Sequence, residues 1–354
     1  MKNSFKIKNK IIRNFNNPFI IAEAGVNHNG NINIAKKLID EASKAGADAV
    51  KFQTFNTDNI VTKKSPKSSY HKITGGSDKD QSWYKLLKSQ ELNFKQHKEL
   101  VKYCKKKKII FLSTPYDFDS VDMLCDLNIP AFKIASTDNN NYPLLKYISK
   151  KNKPILLSTG MTDMKEIVET VKILKSYNQK KIAIMQCTSS YPCELKNLNL
   201  SVISTLQKKF KCPIGFSDHS TEIMPAVIST TMGSAIYEKH LTLDKNMAGP
   251  DHRASCSPSE LRKIIKQIRM VSLINGNKIK RVLDCEKENR KKLKKSLVAN
   301  GFIKSGMRLN KNLVGIKRPS TGMDPIYYDQ ISTYIAKVDI KVDTVLFRRM
   351  LKKK

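Results

Sequence analysis

Residues 19–54 begin Phe19-Ile-Ile-Ala-Glu-Ala24, pass through a segment of helical period at 34–44, and close on Asp48-Ala-Val-Lys-Phe-Gln-Thr54. Two short runs rich in β-branched and apolar residues, joined by one amphipathic helix, make a β/α/β unit whose strands are buried on both faces. The pattern recurs down the chain. Further strand candidates lie at 109–113, 131–136, 154–158, 181–187, 212–217 and 235–241, with helix candidates at 94–106, 118–127, 165–175 and 222–233. Eight strands alternating with helices predict an α/β protein built on a (β/α)8 TIM barrel. An open dinucleotide-binding sheet would need a Gly-rich phosphate turn, and Gly25-Val-Asn-His-Asn-Gly30 has the wrong spacing for one.

A long insertion, residues 55–90, follows the second strand and holds the single tryptophan, Trp83. At a barrel mouth a loop of that length serves as a lid or substrate wall. The last barrel helix spans 259–274, so residues 1–274 form the expected catalytic domain. A polar linker follows at 275–295, and then a short segment, 296–354, whose β-branched residues are punctuated by Gly and Pro, predicting a small β-rich domain.

Composition narrows the setting. No apolar run approaches the roughly 20 residues of a membrane span, and the basic start, Met1 to Arg13, lacks the apolar stretch of a signal peptide. Seven dispersed cysteines, odd in number, imply reduced thiols and a cytoplasmic enzyme. The net charge of +34 admits either a nucleic-acid surface or a bias that writes Lys and Asn wherever a solvated residue is wanted. Lysines recur on nearly every predicted helix and do not gather beside stacking aromatics, which favours the bias and predicts no specific nucleic-acid partner.

Parallel barrels carry their chemistry at the C-terminal ends of the strands. Here those ends are polar: Glu23; Lys51 and Gln53; Ser113-Thr114; Lys133, Ser136 and nearby Asp138; Ser158-Thr159; Thr188-Ser189; Ser217-Asp218-His219; and Glu238-Lys239-His240. Taken one at a time, such residues are as often helix caps or ion-pair partners. As a set they are harder to dismiss, because two lysines inside a barrel carry a large desolvation cost unless an anion meets them. Lys51 and Lys133 with the strand-end hydroxyls suit a small, multiply charged anion. His219 and His240 end consecutive strands beside Glu23 on the ring-closing first strand, a nitrogen and oxygen set that suits Mn²⁺, Mg²⁺, Co²⁺ or Zn²⁺. The loop Gly249-Pro-Asp-His-Arg-Ala-Ser255 offers acid, imidazole and guanidinium to a polyhydroxylated substrate.

Those segments resemble the sialic acid synthases. The likeness is carried by Phe19-Ile-Ile-Ala-Glu-Ala-Gly-Val-Asn-His-Asn-Gly30, Ala49-Val-Lys-Phe-Gln-Thr54, Phe132-Lys-Ile-Ala-Ser136, Leu157-Ser-Thr-Gly-Met161, Gly215-Phe-Ser-Asp-His219, Glu238-Lys-His240, Gly249-Pro-Asp-His252 and Lys317-Arg-Pro319. The resemblance implies a barrel followed by an antifreeze-like (SAF) domain that condenses phosphoenolpyruvate with N-acetylmannosamine and water, giving N-acetylneuraminate and phosphate. It implies phosphoenolpyruvate contacts from Lys51, Thr114, Lys133, Ser136, Ser158, Ser189 and Ser217, and a divalent metal, Mn²⁺ foremost, on His219 and His240. Gln53, Tyr191 and Asp251 would face the sugar, and Arg318 would reach it from the other subunit of a domain-swapped homodimer. Asp138 would orient or deprotonate the attacking water, with Glu23 supporting the site and His240 joining the catalysis.

Four positions depart from the family pattern: Asp138 for Glu, Ser189 for Asn or Thr, Ser320 for the Gly after Lys-Arg-Pro, and Ser257 for Glu. Legionaminate synthesis from a diacetamido-trideoxy sugar is the nearest alternative. A Schiff-base aldolase on Lys51 or Lys133 is a more distant one, and a basic polyanion-binding protein the non-enzymatic one.

Overall fold

The computed structural model describes residues 4–67, 82–177, 179–277 and 279–353. It divides into two units, Met1–Gly276 and Asn277–Lys354.

The first unit opens with an antiparallel hairpin, β1 (Phe5–Ile7) and β2 (Lys10–Ile12). Eight parallel strands follow: β3 (Phe19–Gly25), β4 (Ala49–Thr54), β5 (Ile110–Pro115), β6 (Phe132–Ile134), β7 (Ile155–Ser158), β8 (Ile182–Cys187), β9 (Ile214–Asp218) and β10 (Ile236–His240). Each pairs with its sequence neighbour, and β10 pairs with both β9 and β3, closing the ring. Every expected strand is present. The fourth is shorter than expected, because Ser136 and Asp138 lie on a 3-10 turn, Ser136–Asp138, beyond its end.

The period of two along each strand sorts the side chains into two cores. Ile20, Val50, Phe52, Phe132, Ile184 and Tyr237 point outward and pack with helix residues such as Leu38, Leu100, Val121 and Ile264. Phe19, Ile21, Ala49, Leu112, Leu156, Met185 and Ile236 point inward, and Phe5, Ile7 and Ile12 of the hairpin join them to plug the N-terminal end. One step further along each inward row the apolar residues give way to Glu23, Lys51, Thr114, Lys133, Ser158, Cys187, Ser217 and Glu238. The site is thus the top layer of the barrel interior.

Local chemistry sets the helices that hold this layer. Capping boxes open Phe94–Lys106 (Asn93 with Gln96), Met164–Lys175 (Asp163 with Glu166) and Pro258–Asn275 (Ser257 with Glu260). The last gives the departure at Ser257 a structural role, since its hydroxyl accepts from the Glu260 backbone N–H. Two barrel helices absent from the sequence-based expectation, Tyr142–Lys150 and Val202–Lys209, are short. Of the insertion, Thr57–Ile60 and Trp83–Lys88 are helical, and residues 68–81 lie outside the described residues.

In the second unit, helix Lys287–Leu293 precedes two antiparallel pairs: β11 (Ser296–Ala299) with β12 (Val314–Lys317), and β13 (Tyr334–Ala336) with β14 (Leu351–Lys353). Leu297, Ile303, Leu309, Val314, Ile331 and Leu346 form its own core. Among the described residues no helix is long and apolar enough to cross a membrane.

Candidate active site

The centre of the polar layer is a group of four buried charges. Lys51 Nζ lies 2.8 Å from Glu23 Oε2 and 3.9 Å from Glu238 Oε1, and Lys133 Nζ lies 3.2 Å from the same Glu238 oxygen. Register explains the first contact, because Glu23 and Lys51 are direct partners across β3 and β4. Burial pushes the Glu23 carboxyl up to about 7 against the pull of Lys51. For Lys51, burial works to lower the pKa, but Glu23 and Glu238 outweigh it and hold the ammonium charged. Lys133 has weaker support, and burial draws its pKa down. Burial opposes ionisation of Glu238 as well, yet the two lysines keep its carboxyl below the ordinary range.

Hydroxyls ring this group. Lys51 donates to Thr114 Oγ1 at 3.1 Å, Lys133 to Ser158 Oγ at 2.7 Å, and Ser217 Oγ to Glu238 Oε1 at 3.2 Å. The Gly160 N–H donates to Ser136 Oγ at 2.9 Å. A Cβ at Gly160 would stand 2.2 Å from Ser189 Oγ, so only glycine lets these serines converge. The result is two ammonium groups and several donors aimed at one space, while Glu238 Oε2 is buried without a hydrogen-bond partner among the described residues.

His219 and His240 stand side by side, ring centroids 5.3 Å apart, with Tyr191 over His219 at 4.1 Å. The expected divalent metal does not fit the donors here. Asp251 Oδ2 stays 3.7 Å from His240 Nδ1, and Glu23, expected to complete the set, is drawn to Lys51. Among the described residues no group of three or more His, Cys, Asp or Glu side chains gathers in a form able to hold an ion. The expectation of Mn²⁺, Mg²⁺ or Co²⁺ on His219 and His240 is corrected accordingly. Burial draws the His240 pKa well below its ordinary value. Burial acts likewise on His219, but the Cys187 thiol 3.9 Å away reverses the direction and raises it.

All of these groups open into a cavity of about 680 Å³. Of the residues expected at the site within the first unit, Gln53, Tyr191 and Asp251 also line it, and only Asp138 does not. Asp138 is buried behind the wall. It accepts from Asn141 Nδ2 at 3.2 Å and from Thr137 Oγ1 at 3.3 Å, and Thr137 itself lines the cavity. Arg318 is an exposed residue after β12 in the second unit.

Sequence reasoning named Glu238 among the polar strand ends but gave it no role, and the alternation of β10 places it inward with Ile236 and His240. The same alternation turns Asp218 and Lys239 outward, where they pair at 3.1 Å under the Tyr237 hydroxyl and leave the site. The insertion expected to serve as a lid or substrate wall supplies Leu87 and Trp83, which meet Val26 in an apolar wall beside Tyr116.

A closed β/α barrel whose mouth holds paired lysines, strand-end hydroxyls and a sugar-sized cavity is the fold and site of an enzyme acting on a small anion. Residues 38–280 match the NeuB family model, and the chain belongs to the NeuB family. It is 41% identical over 329 residues to the N,N'-diacetyllegionaminic acid synthase of Campylobacter jejuni, covering 92% of this chain and 98% of that one. It is 36% identical over 300 residues to the human N-acetylneuraminate-9-phosphate synthase, covering 84% and 82%. The crystal structure of an N-acetylneuraminic acid synthetase from Leptospira borgpetersenii superposes with a TM-score of 0.71 at 34% identity, covering 82% of this chain and 95% of that one. The protein is a transferase-type enzyme of the nonulosonate-synthase class, which condenses phosphoenolpyruvate with an amino sugar.

Proposed function

We propose that the enzyme joins phosphoenolpyruvate to an open-chain N-acylated amino sugar and water, releasing phosphate and a nine-carbon keto acid. The observation that carries this reading is the buried pair Lys51 and Lys133 facing Thr114, Ser136, Ser158, Ser189 and Ser217, a donor set matched to one carboxylate and one phosphate. In this reading C3 of the enol attacks the sugar aldehyde. The aldehyde oxygen gains a proton, for which His219 is the imidazole of the pair held more readily charged. Water adds to the cationic C2, and phosphate leaves with cleavage of the C–O bond. Asp138 draws the proton from that water through the Thr137 hydroxyl, while Glu23 and Glu238 hold the lysines in place. Gln53, Tyr191 and Asp251 face the sugar. Arg318 meets its acyl group from the partner of a domain-swapped homodimer, and the seven free cysteines suit a cytoplasmic setting.

N-acetylmannosamine is the simplest acceptor of this kind. A second reading, a diacetamido-trideoxy-mannose-type sugar leading to a legionaminate, is favoured by the wall of Val26, Leu87 and Trp83. A deoxygenated edge and a second acetamido methyl bury well against such a surface. A sugar phosphate finds no support there: among the described lining residues the only lysines are Lys51 and Lys133, and this reading gives both to phosphoenolpyruvate. The test is phosphate release from phosphoenolpyruvate in physiological salts with N-acetylmannosamine, its 6-phosphate and diacetamido-trideoxy hexoses. Turnover is expected with the neutral sugars, fastest with a diacetamido sugar, and absent with the phosphate. No turnover with any of them overturns the proposal.

A further inference from the structure

Asp251 sits on an irregular loop, yet it lines the cavity, and the bonds that hold its stretch of backbone lie outside the cavity. Residues 241–257 hold one short 3-10 turn, His252–Ala254, so the loop has little rigidity of its own. Two asparagines of the loop after β3 grip it. Asn27 Nδ2 donates to Leu241 O and to Ser255 Oγ, both at 2.9 Å, and Ser255 Oγ donates in turn to the Asp251 carbonyl at 2.7 Å. Asn29 Nδ2 donates to the Ala248 carbonyl at 2.8 Å, and its Oδ1 lies 3.4 Å from His252 Nε2. His252 Nδ1 is 2.6 Å from Thr242 Oγ1, at the far end of the same loop.

The partners assign the tautomer. With the Asn29 amide protons turned to Ala248, Oδ1 must accept, so His252 Nε2 carries the hydrogen on that side, while Nδ1 meets Thr242 Oγ1, a hydroxyl that also lies 2.9 Å from the Asp244 carbonyl. His252 is wholly buried, and burial draws its pKa down to about 4. Gly249 completes the fit. A Cβ there would stand 2.5 Å from His252 Cδ2 and 2.9 Å from Asn29 Oδ1, so only glycine lets the chain lie flat on the pair. Gly249-Pro-Asp-His252 therefore closes on itself around Asn29, with Asp251 held between the grips.

We propose that Asn29 and His252 form a latch joining the loops after β3 and β10, and that they are positioning residues which set the acceptor subsite by fixing Asp251. The proposal rests on the sugar-facing role given to Asp251 above. Neither latch residue lines the cavity, so neither touches substrate, and loosening them shifts a carboxylate without removing it.

The experiment compares N29A, H252A and H252Q with the parent enzyme. In phosphate-release kinetics, N29A and H252A are expected to raise the KM for the sugar about 10-fold while the KM for phosphoenolpyruvate stays within about twofold. H252Q, whose amide can replace the Nε2 donor, recovers most of the loss. A fall in melting temperature with both KM values unchanged, or an equal rise in both, overturns the latch. Hydrogen exchange in the absence of substrate separates this proposal from the proposed function. If no sugar supports turnover, N29A must still speed exchange at residues 248–252 and leave β3 protected. Unchanged exchange there overturns the latch whatever the reaction proves to be.

Discussion

Glu238 is the residue on which the site turns. Its Oε1 faces Lys51, Lys133 and Ser217 together, so it balances the positive charge that would otherwise be stranded inside the barrel. Removing one partner from a buried ion pair leaves the other uncompensated. E238A is therefore expected to lose about 3–5 kcal/mol of stability in denaturant unfolding, together with most of its phosphate-releasing activity. His28 shows the opposite economy, a buried group kept neutral. Burial, reinforced by His97 and His252, lowers its pKa from 6.5 to about 3. A histidine whose folded pKa is depressed binds its proton more readily when unfolded. Its contribution to stability is complete above pH 6.5 and shrinks as the pH falls from 6.5 toward 3, by about 1.4 kcal/mol per unit. Chemical denaturation across that range should show H28N losing less stability on acidification than the parent.

Among the elements, the hairpin of β1 and β2 has a role its length does not suggest. Phe5, Ile7 and Ile12 occupy the floor of the barrel with the first inward residues of β3, β4 and β10. Ile7→Ala is expected to cost about 2–5 kcal/mol as a buried large-to-small change. Its KM values should stay at the parent level, because the floor lies at the opposite end of the strands from the chemistry. Unfolding and steady-state kinetics on one preparation check both halves. The hairpin was not legible in the sequence, since three-residue strands in a lysine-rich segment carry too short a period to register. The eight barrel strands were legible because each is a short buried run that alternates with segments of helical period. Ser136 was assigned to the end of a strand and lies instead on a turn with nearby Asp138, whose side chain does not line the cavity.

At the scale of the whole molecule, the net charge of +34 is an electrostatic field as well as a composition. A small anion approaching such a surface is steered, and the steering weakens as the screening length falls. The value of kcat/KM for phosphoenolpyruvate is expected to drop several-fold between about 0.02 and 0.5 M monovalent salt, with kcat little changed. Stopped assays over a salt series measure this, and a flat profile would show that the charge is only solvated surface. The anion cradle was legible at this scale too, since polar residues ending every strand of a barrel must meet at one mouth.

What the sequence by itself determined is direction: which residues form strands, and, by the period of two, which side chains enter the barrel and which face the helices. That alternation is a local property of the backbone, so Lys51, Lys133 and His240 are placed inward before any tertiary contact is known. Only the tertiary structure decided partnership. Closure of β10 on β3 and the register between neighbouring strands brought Glu23 to Lys51 and Glu238 to both lysines. The same pairing withdrew Glu23 from the imidazoles that it was expected to join around a metal. Contacts across a closed barrel depend on ring closure and stagger, which link residues far apart in the chain and leave no trace in local spacing.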